Sequence, residues 1–249
     1  SPLHRPNLPR APPHAPMEGP HRIYLVGAHA TGKTTLARWI RDRYSIPMIS
    51  EVARSVLAEM EASLDTLRTD IELVSRYQAQ VFERQVESEE KQEGSYVSDR
   101  AFCNLAYAAQ HSQLAPEVFT SPRLAEYMQH VRAGVVFYLR PHRELLADDG
   151  VRERSDWEEV VRIDGMVKLM LEMFAVPYIP VASLSMQERT RTVERVLQLS
   201  GLERERPRRR YLKPVGPVRV PIPAGLVRTT QPDVIPEAEP SLDPLRAKS

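Results

Sequence analysis

Eight residues near the start of the chain, Gly27-Ala28-His29-Ala30-Thr31-Gly32-Lys33-Thr34, restrict its fold more than any other stretch. They follow a short apolar run, Arg22–Val26, that suits a buried strand, and they open a stretch at 33–44 with helical patterning. The spacing is G-x-x-x-x-G-K-[ST] without a mismatch. Glycine at 27 and 32 lets the backbone curl until several N–H groups face one set of phosphate oxygens. The helix N-terminus behind them adds partial positive charge. Lys33 is then placed to reach β- and γ-phosphates, and the Thr34 hydroxyl to ligate Mg²⁺. Gly27 to Thr34, with Thr35 beside it, is therefore expected to hold a nucleoside triphosphate. His29 lies among residues whose side chains point away from the phosphates, so it is given no chemistry.

Proline divides the remainder. Seven of the 22 prolines fall in residues 1–20 and nine in 201–249, leaving six for the middle. Proline removes a backbone donor and fixes φ, so 1–20 and 201–249 are expected to be irregular tails around a folded domain at 21–200. Within that domain strand and helix patterns alternate. Strands are expected at Arg22–Val26, Pro47–Ser50, Tyr96–Ser98, Val135–Leu139 and Tyr178–Val181. Helices are expected at 33–44, 51–60, 67–92, 101–111, 117–131, from Ser155 to Phe174, and from Ser185 to Leu199. Ser155-Asp-Trp-Glu158 and Ser185-Met-Gln-Glu188 carry capping-box spacing. Apolar strands alternating with helices predict an α/β fold: a five-stranded parallel sheet with helices on both faces.

Bulk properties exclude several classes. The formal charge is +1, so no global field selects nucleic acid or membrane as a partner. A single cysteine, Cys103, excludes a disulfide framework or a cysteine metal site, and it is expected to pack as a small apolar residue. No apolar run reaches the roughly 20 residues of a membrane span, and the first 16 residues lack a secretory apolar core. A cytoplasmic location is expected.

Residues 21–199 resemble the P-loop kinases of the thymidylate-kinase and nucleoside-kinase group. Within it, they are most similar to the branch holding the ribosylnicotinamide kinase domain and the phage kinases of 5-hydroxymethyluracil in DNA. Four blocks carry the resemblance: GAHATGKTTLA at 27–37, SEVAR at 50–54, SDRAFCNLAYA at 98–108 and DDGVRERSDWEE at 148–159. No guanine-specific NKxD pattern or second large domain is visible, which favours kinases over GTPases and motor ATPases. The resemblance implies a three-layer P-loop kinase fold, ATP as donor and Mg²⁺ as cofactor.

It also implies roles for residues outside the loop. Glu51 stands where related kinases place the group that takes the acceptor hydroxyl's proton, although an acid there also compensates a helix N-terminus. Arg54, one turn on, would hold a substrate phosphate or pair with Glu51. Asp99 would hold Mg²⁺ through water, act as the alternative base, or cap a following helix. Arg100 would contact the acceptor. Arg152 and Arg154 resemble lid arginines that close over the transferring phosphoryl group, with Arg140 a weaker candidate. Tyr77 and Gln78 lie where the group lines its acceptor pocket; core packing is the better explanation of Tyr77, and Gln78 fits either role equally.

Residues 201–230 carry eight basic side chains against Glu203 and Glu205, a net +6 suited to a phosphate backbone or to a solvated tail. Three functions are compatible with these features. One is a DNA kinase acting on the hydroxymethyl group of 5-hydroxymethyl-2′-deoxyuridine, which would have to be extruded from a duplex. Another is a kinase of free nucleosides, nucleoside monophosphates or ribosylnicotinamide. The third is a non-catalytic nucleotide switch. The family blocks and the cationic segment favour the first.

Overall fold

The structure is a computed structural model that describes residues 19–50, 52–60, 70–113, 116–146 and 156–202. Glu51, Arg152, Arg154, most of the N-terminal segment and the cationic C-terminal segment lie outside the described residues. All described residues fall within the first of two units, Ser1–Pro207.

Five strands, β1 (Arg22–Val26), β2 (Met48–Ile49), β3 (Tyr96–Asp99), β4 (Val135–Leu139) and β5 (Ile179–Val181), form one sheet in the order β2-β3-β1-β4-β5. Every pairing is parallel, as the alternating pattern predicts. Among the described residues seven α-helices surround it: α1 (Lys33–Tyr44), α2 (Val52–Glu59), α3 (Ile71–Glu90), α4 (Cys103–Gln110), α5 (Pro122–Arg132), α6 (Trp157–Met173) and α7 (Met186–Leu199).

The period-two geometry of a strand explains the layers. In β1, Ile23 and Leu25 face one core with Leu36, Ile40, Val193 and Leu197 of α1 and α7. Tyr24 and Val26 face the other, with residues of α2 to α6. Both sides of β1 are thus buried, and the apolar run needed no polar alternation.

Three expectations on helix ends need correction. The helix expected at 117–131 is split. A 3₁₀ turn covers Pro116–Thr120, and α5 starts at Pro122, which sits where its missing N–H costs nothing; Ser121 caps it by accepting from Leu124 N at 3.2 Å. The cap of α6 is Asp156, not Ser155; its carboxylate accepts from Glu158 N at 3.3 Å. At α7, Ser185 accepts from Glu188 N at 3.4 Å as expected. The reciprocal arm is diverted, because Glu188 instead accepts from the Ser183 hydroxyl.

The α3 helix is tied to β3 by a buried carboxylate. Glu89 Oε1 accepts from Gln85 Nε2 at 2.8 Å, Ser98 Oγ at 2.6 Å and Tyr127 Oη at 3.1 Å. Burial pushes its carboxyl up from the usual value, and the hydrogen bonds offset only part of that. At the amino edge of the sheet the domain's two ends meet, with His21 Nε2 2.9 Å from Ser200 O.

Candidate active site

The carboxyl end of β1 runs directly into the glycine loop, and neither glycine tolerates a side chain. Gly27 has φ 145°, and a Cβ there would lie 2.5 Å from the Leu139 carbonyl oxygen at the end of β4. Gly32 has φ 83°, and its Cβ would meet Arg189 Nη1 at 2.8 Å. Ala30 also takes a left-handed conformation, φ 55°, which completes the curl. The Thr31 hydroxyl donates to Ala28 O at 2.9 Å. The Lys33 ammonium is buried, donating to Ala28 O and to Thr31 Oγ1. Gly32 ends the loop as the N-cap of α1, and Thr34 lies in its first turn with Thr35 facing solvent.

Beside the loop, β3 delivers the acidic residue. Because β3 pairs directly with β1, Leu25 lies opposite Asp99. Asp99 is 3% exposed; its Oδ2 accepts from Thr34 Oγ1 at 2.6 Å, and its Oδ1 is buried without a hydrogen-bond partner. The helix-cap role considered for Asp99 is excluded, since α4 begins only at Cys103 with Phe102 as its N-cap. Between them Arg100 and Ala101 have φ 92° and 48°. Two successive non-glycine residues in the left-handed region store strain, as functional turns do. That turn leaves Arg100 exposed at the carboxyl edge of the sheet.

The pair Thr34–Asp99 fits a divalent cation: an unsatisfied buried carboxylate oxygen adjoins a hydroxyl at the mouth of a phosphate loop. Among the described residues no group of three or more His, Cys, Asp or Glu side chains could hold a metal. Phosphate oxygens and water would have to complete the shell, as suits Mg²⁺.

Cys103 packs in the core as expected and also receives the Gly27 N–H at 3.4 Å. Burial pushes its thiol up, so it is no ready nucleophile. Arg140 is drawn to Asp164 at 3.8 Å and stacks over Tyr138. Asp164 is itself buried, and burial raises its carboxyl despite the Arg140 and Lys33 charges.

On the α3 side of β3, Tyr77 packs against the core and donates to Ala53 O at 3.1 Å. Its hydroxyl is raised by burial and lowered by the nearby Arg100 charge. Gln78 is buried and donates to Gln113 Oε1 at 3.3 Å. Asn104 donates to Gln78 O at 3.1 Å and leaves its own Oδ1 buried and unpartnered. Arg54 is exposed on α2. The fold therefore brings together Lys33, Thr34, Asp99 and Arg100, with Tyr77, Gln78 and Asn104 nearby along α3 and α4. Asn104, Asp164 and Arg189 were not singled out from sequence; of these only Asn104 lies in a motif block, 98–108, that could have flagged it.

Loop, sheet order and carboxylate define a phosphate-loop α/β protein. A family model described as an AAA domain (AAA_28) matches residues 22–189, and the chain belongs to that family. No curated protein matches it significantly. Among solved structures, NadR protein in complex with NR is similar at TM-score 0.54 and 19% identity, covering 75% of this chain and 53% of NadR. Deoxyadenosine kinase from M. mycoides with bound dCTP is similar at TM-score 0.55 and 11% identity, covering 71% of this chain and 98% of that one. NadR with NAD and AMP-PNP gives 0.52 at 18% identity, covering 75% of this chain and 51% of that one. These likenesses are of fold, and the chain spans about half the length of NadR. Among the described residues no helix is long and apolar enough to cross a membrane.

Proposed function

We propose that this chain is a Mg²⁺-dependent kinase that moves the γ-phosphoryl group of ATP to a hydroxyl of a nucleoside-type acceptor. The observation that carries the reading is Asp99, a buried carboxylate bonded to Thr34 through one oxygen and unpartnered at the other. An oxygen so placed suits both needs of phosphoryl transfer, charge neutralisation through a cation and a proton acceptor.

The loop amides and Lys33 bind the donor phosphates, and Thr34 and Asp99 would hold the cation. Mg²⁺, when bound, would neutralise charge on the transferring phosphates. Arg100 orients the acceptor, and Glu51 or Asp99 takes the proton of the attacking hydroxyl. Arg152 and Arg154, outside the described residues, would supply charge to the transferring phosphoryl group, as lid arginines do. Transfer breaks the bond from the γ-phosphorus to the bridging oxygen, which leaves as ADP, and forms one to the acceptor oxygen.

For the acceptor, the sequence blocks at 50–54, 98–108 and 148–159, with the +6 segment at 201–230, support the hydroxymethyl group of 5-hydroxymethyl-2′-deoxyuridine in DNA. A free nucleoside or nucleotide is the second reading. It is favoured by the likeness to structures holding NR, AMP-PNP or dCTP. A cytoplasmic setting, the host's if a phage encodes the chain, completes the proposal.

One assay separates the readings. The protein is incubated with γ-labelled ATP and Mg²⁺ against hydroxymethyluracil-containing DNA, unmodified DNA, nucleosides and nucleoside monophosphates. Label on the modified DNA supports the first acceptor, and label on small acceptors alone sinks it. Label on no acceptor leaves a nucleotide switch.

A further inference from the structure

Arg189, in the first turn of α7, is 4% exposed and far in sequence from the phosphate loop, yet it is bound to it. Its Nη1 donates to Thr31 O at 2.7 Å across 158 positions. Its Nε donates to Ser183 O at 2.5 Å. Its Nη2 is buried with no hydrogen-bond partner. No carboxylate pairs with it among the described residues, and burial holds its guanidinium below the usual arginine value.

A buried cation without a counter-ion is costly, so something must balance it when the protein works. The position says what. The guanidinium touches the Thr31–Gly32 peptide, and no cis peptide occurs among the described residues. In a trans peptide the C=O and N–H point in opposite directions. With the carbonyl turned to Arg189, the Gly32 N–H is turned away from it. A cation on the carbonyl draws electron density from the N–H and makes it a stronger donor. The absence of a Cβ at Gly32 is what lets Nη1 approach this closely.

We infer that Arg189 is a positioning residue for the donor's phosphates: it fixes and polarises the Thr31–Gly32 peptide, and the bound phosphates balance its charge. The inference rests on the kinase reading above. It goes further in assigning part of the phosphate affinity to a residue outside the loop motif, and in joining the Ser183 loop to the phosphate site through one side chain. Lys33 acts on phosphate directly. Arg189 acts through the backbone.

The test uses the full chain and compares Mg²⁺·ATP with AMP, which lacks the β- and γ-phosphates. Calorimetric titration of the wild type, Arg189→Met and Arg189→Lys gives the ratio of AMP to ATP dissociation constants for each. The ratio is expected to narrow about tenfold in Arg189→Met and less in Arg189→Lys, with AMP affinity changing under about threefold. A loss confined to packing would weaken both nucleotides alike, and that outcome overturns the inference.

Because Arg189→Met buries a hole where a charge stood, a measurement on the wild type decides the matter if the variants do not fold. The Arg189 Nε–H and Gly32 N–H resonances should both move on adding Mg²⁺·ATP and stay nearly still with AMP. Resonances that ignore ATP while ATP binds overturn the inference and leave the kinase reading standing. Failure of the wild type to bind ATP at all removes both.

Discussion

The Thr34 hydroxyl donates to Asp99 at 2.6 Å, joining the end of the phosphate loop to the end of the neighbouring strand 65 positions away. The link follows from sheet order: β3 lies directly beside β1, so the residue closing β3 is delivered to the first turn of α1. Asp99→Asn keeps an acceptor for Thr34 and removes the charge. Turnover is expected to fall about 10²- to 10⁴-fold, the range for a positioned proton acceptor. A raised Mg²⁺ requirement would mark a metal role for Asp99, and an altered pH–rate profile a base role. Turnover unchanged in both respects would exclude Asp99 from the chemistry.

Lys33→Ala is expected to abolish phosphoryl transfer while leaving far-UV and near-UV circular dichroism unchanged. The ammonium's hydrogen bonds to Ala28 O and Thr31 Oγ1 lie within its own loop, so no strand pairing depends on them. Activity near the wild-type level in this variant would contradict the phosphate role.

Arg152→Ala and Arg154→Ala test the lid. If either arginine reaches the transferring group, kcat should fall about 10³-fold, with a much smaller change in the KM for ATP. Equal losses in both variants and in KM would indicate donor binding instead.

Gly27→Ala should cost about 3 kcal/mol of stability, because overpacking adds to left-handed strain. The obstacle is the Leu139 carbonyl oxygen of β4, 2.5 Å from the added Cβ, and a paired strand cannot swing aside. The urea midpoint should drop with an unchanged slope. A midpoint equal to the wild type would mean that loop and strand relax together.

Glu89 gives the chain a pH dependence of defined sign. Its folded pKa is raised above the ordinary 4.5 by burial, so the native state binds more protons than the unfolded chain there. Its contribution is complete below the ordinary value and is lost as pH rises through the folded one. Glu89→Gln should remove that decline, so the wild type loses stability relative to the variant as pH rises above the ordinary 4.5. Parallel stability curves across that window would show that the carboxyl titrates as if exposed.

The elements legible from sequence were those with local causes. The strands at Arg22–Val26 and Val135–Leu139 match residue for residue, because continuous apolar runs end against Gly27 and against Arg140-Pro141. The phosphate loop was legible for the same reason: its chemistry is contained in eight consecutive residues. Asp99 was singled out because it closes a strand, and Arg100 because the Asp99-Arg100 pair resembles the DR pair of the kinase group. The break at Ser121-Pro122 was passed over, since helical spacing continues across it and only the cap geometry ends the first turn. Arg189 and Asp164 could not be read at all. Each lies on a helix whose pattern predicts only an exposed or core position, and their contacts exist only once α6 and α7 are packed beside the loop and β4.

The meeting of His21 and Ser200 has a bearing on reach. Those residues sit at the amino edge of a sheet whose opposite edge carries the glycine loop, and β1 alone spans five residues, about 17 Å. The bond ties the residue before β1 to Ser200, the C-cap of the helix that carries Arg189. Replacing the His21 ring would therefore loosen the far end of that helix from the amino edge of the sheet, while the phosphate loop keeps its own hydrogen bonds.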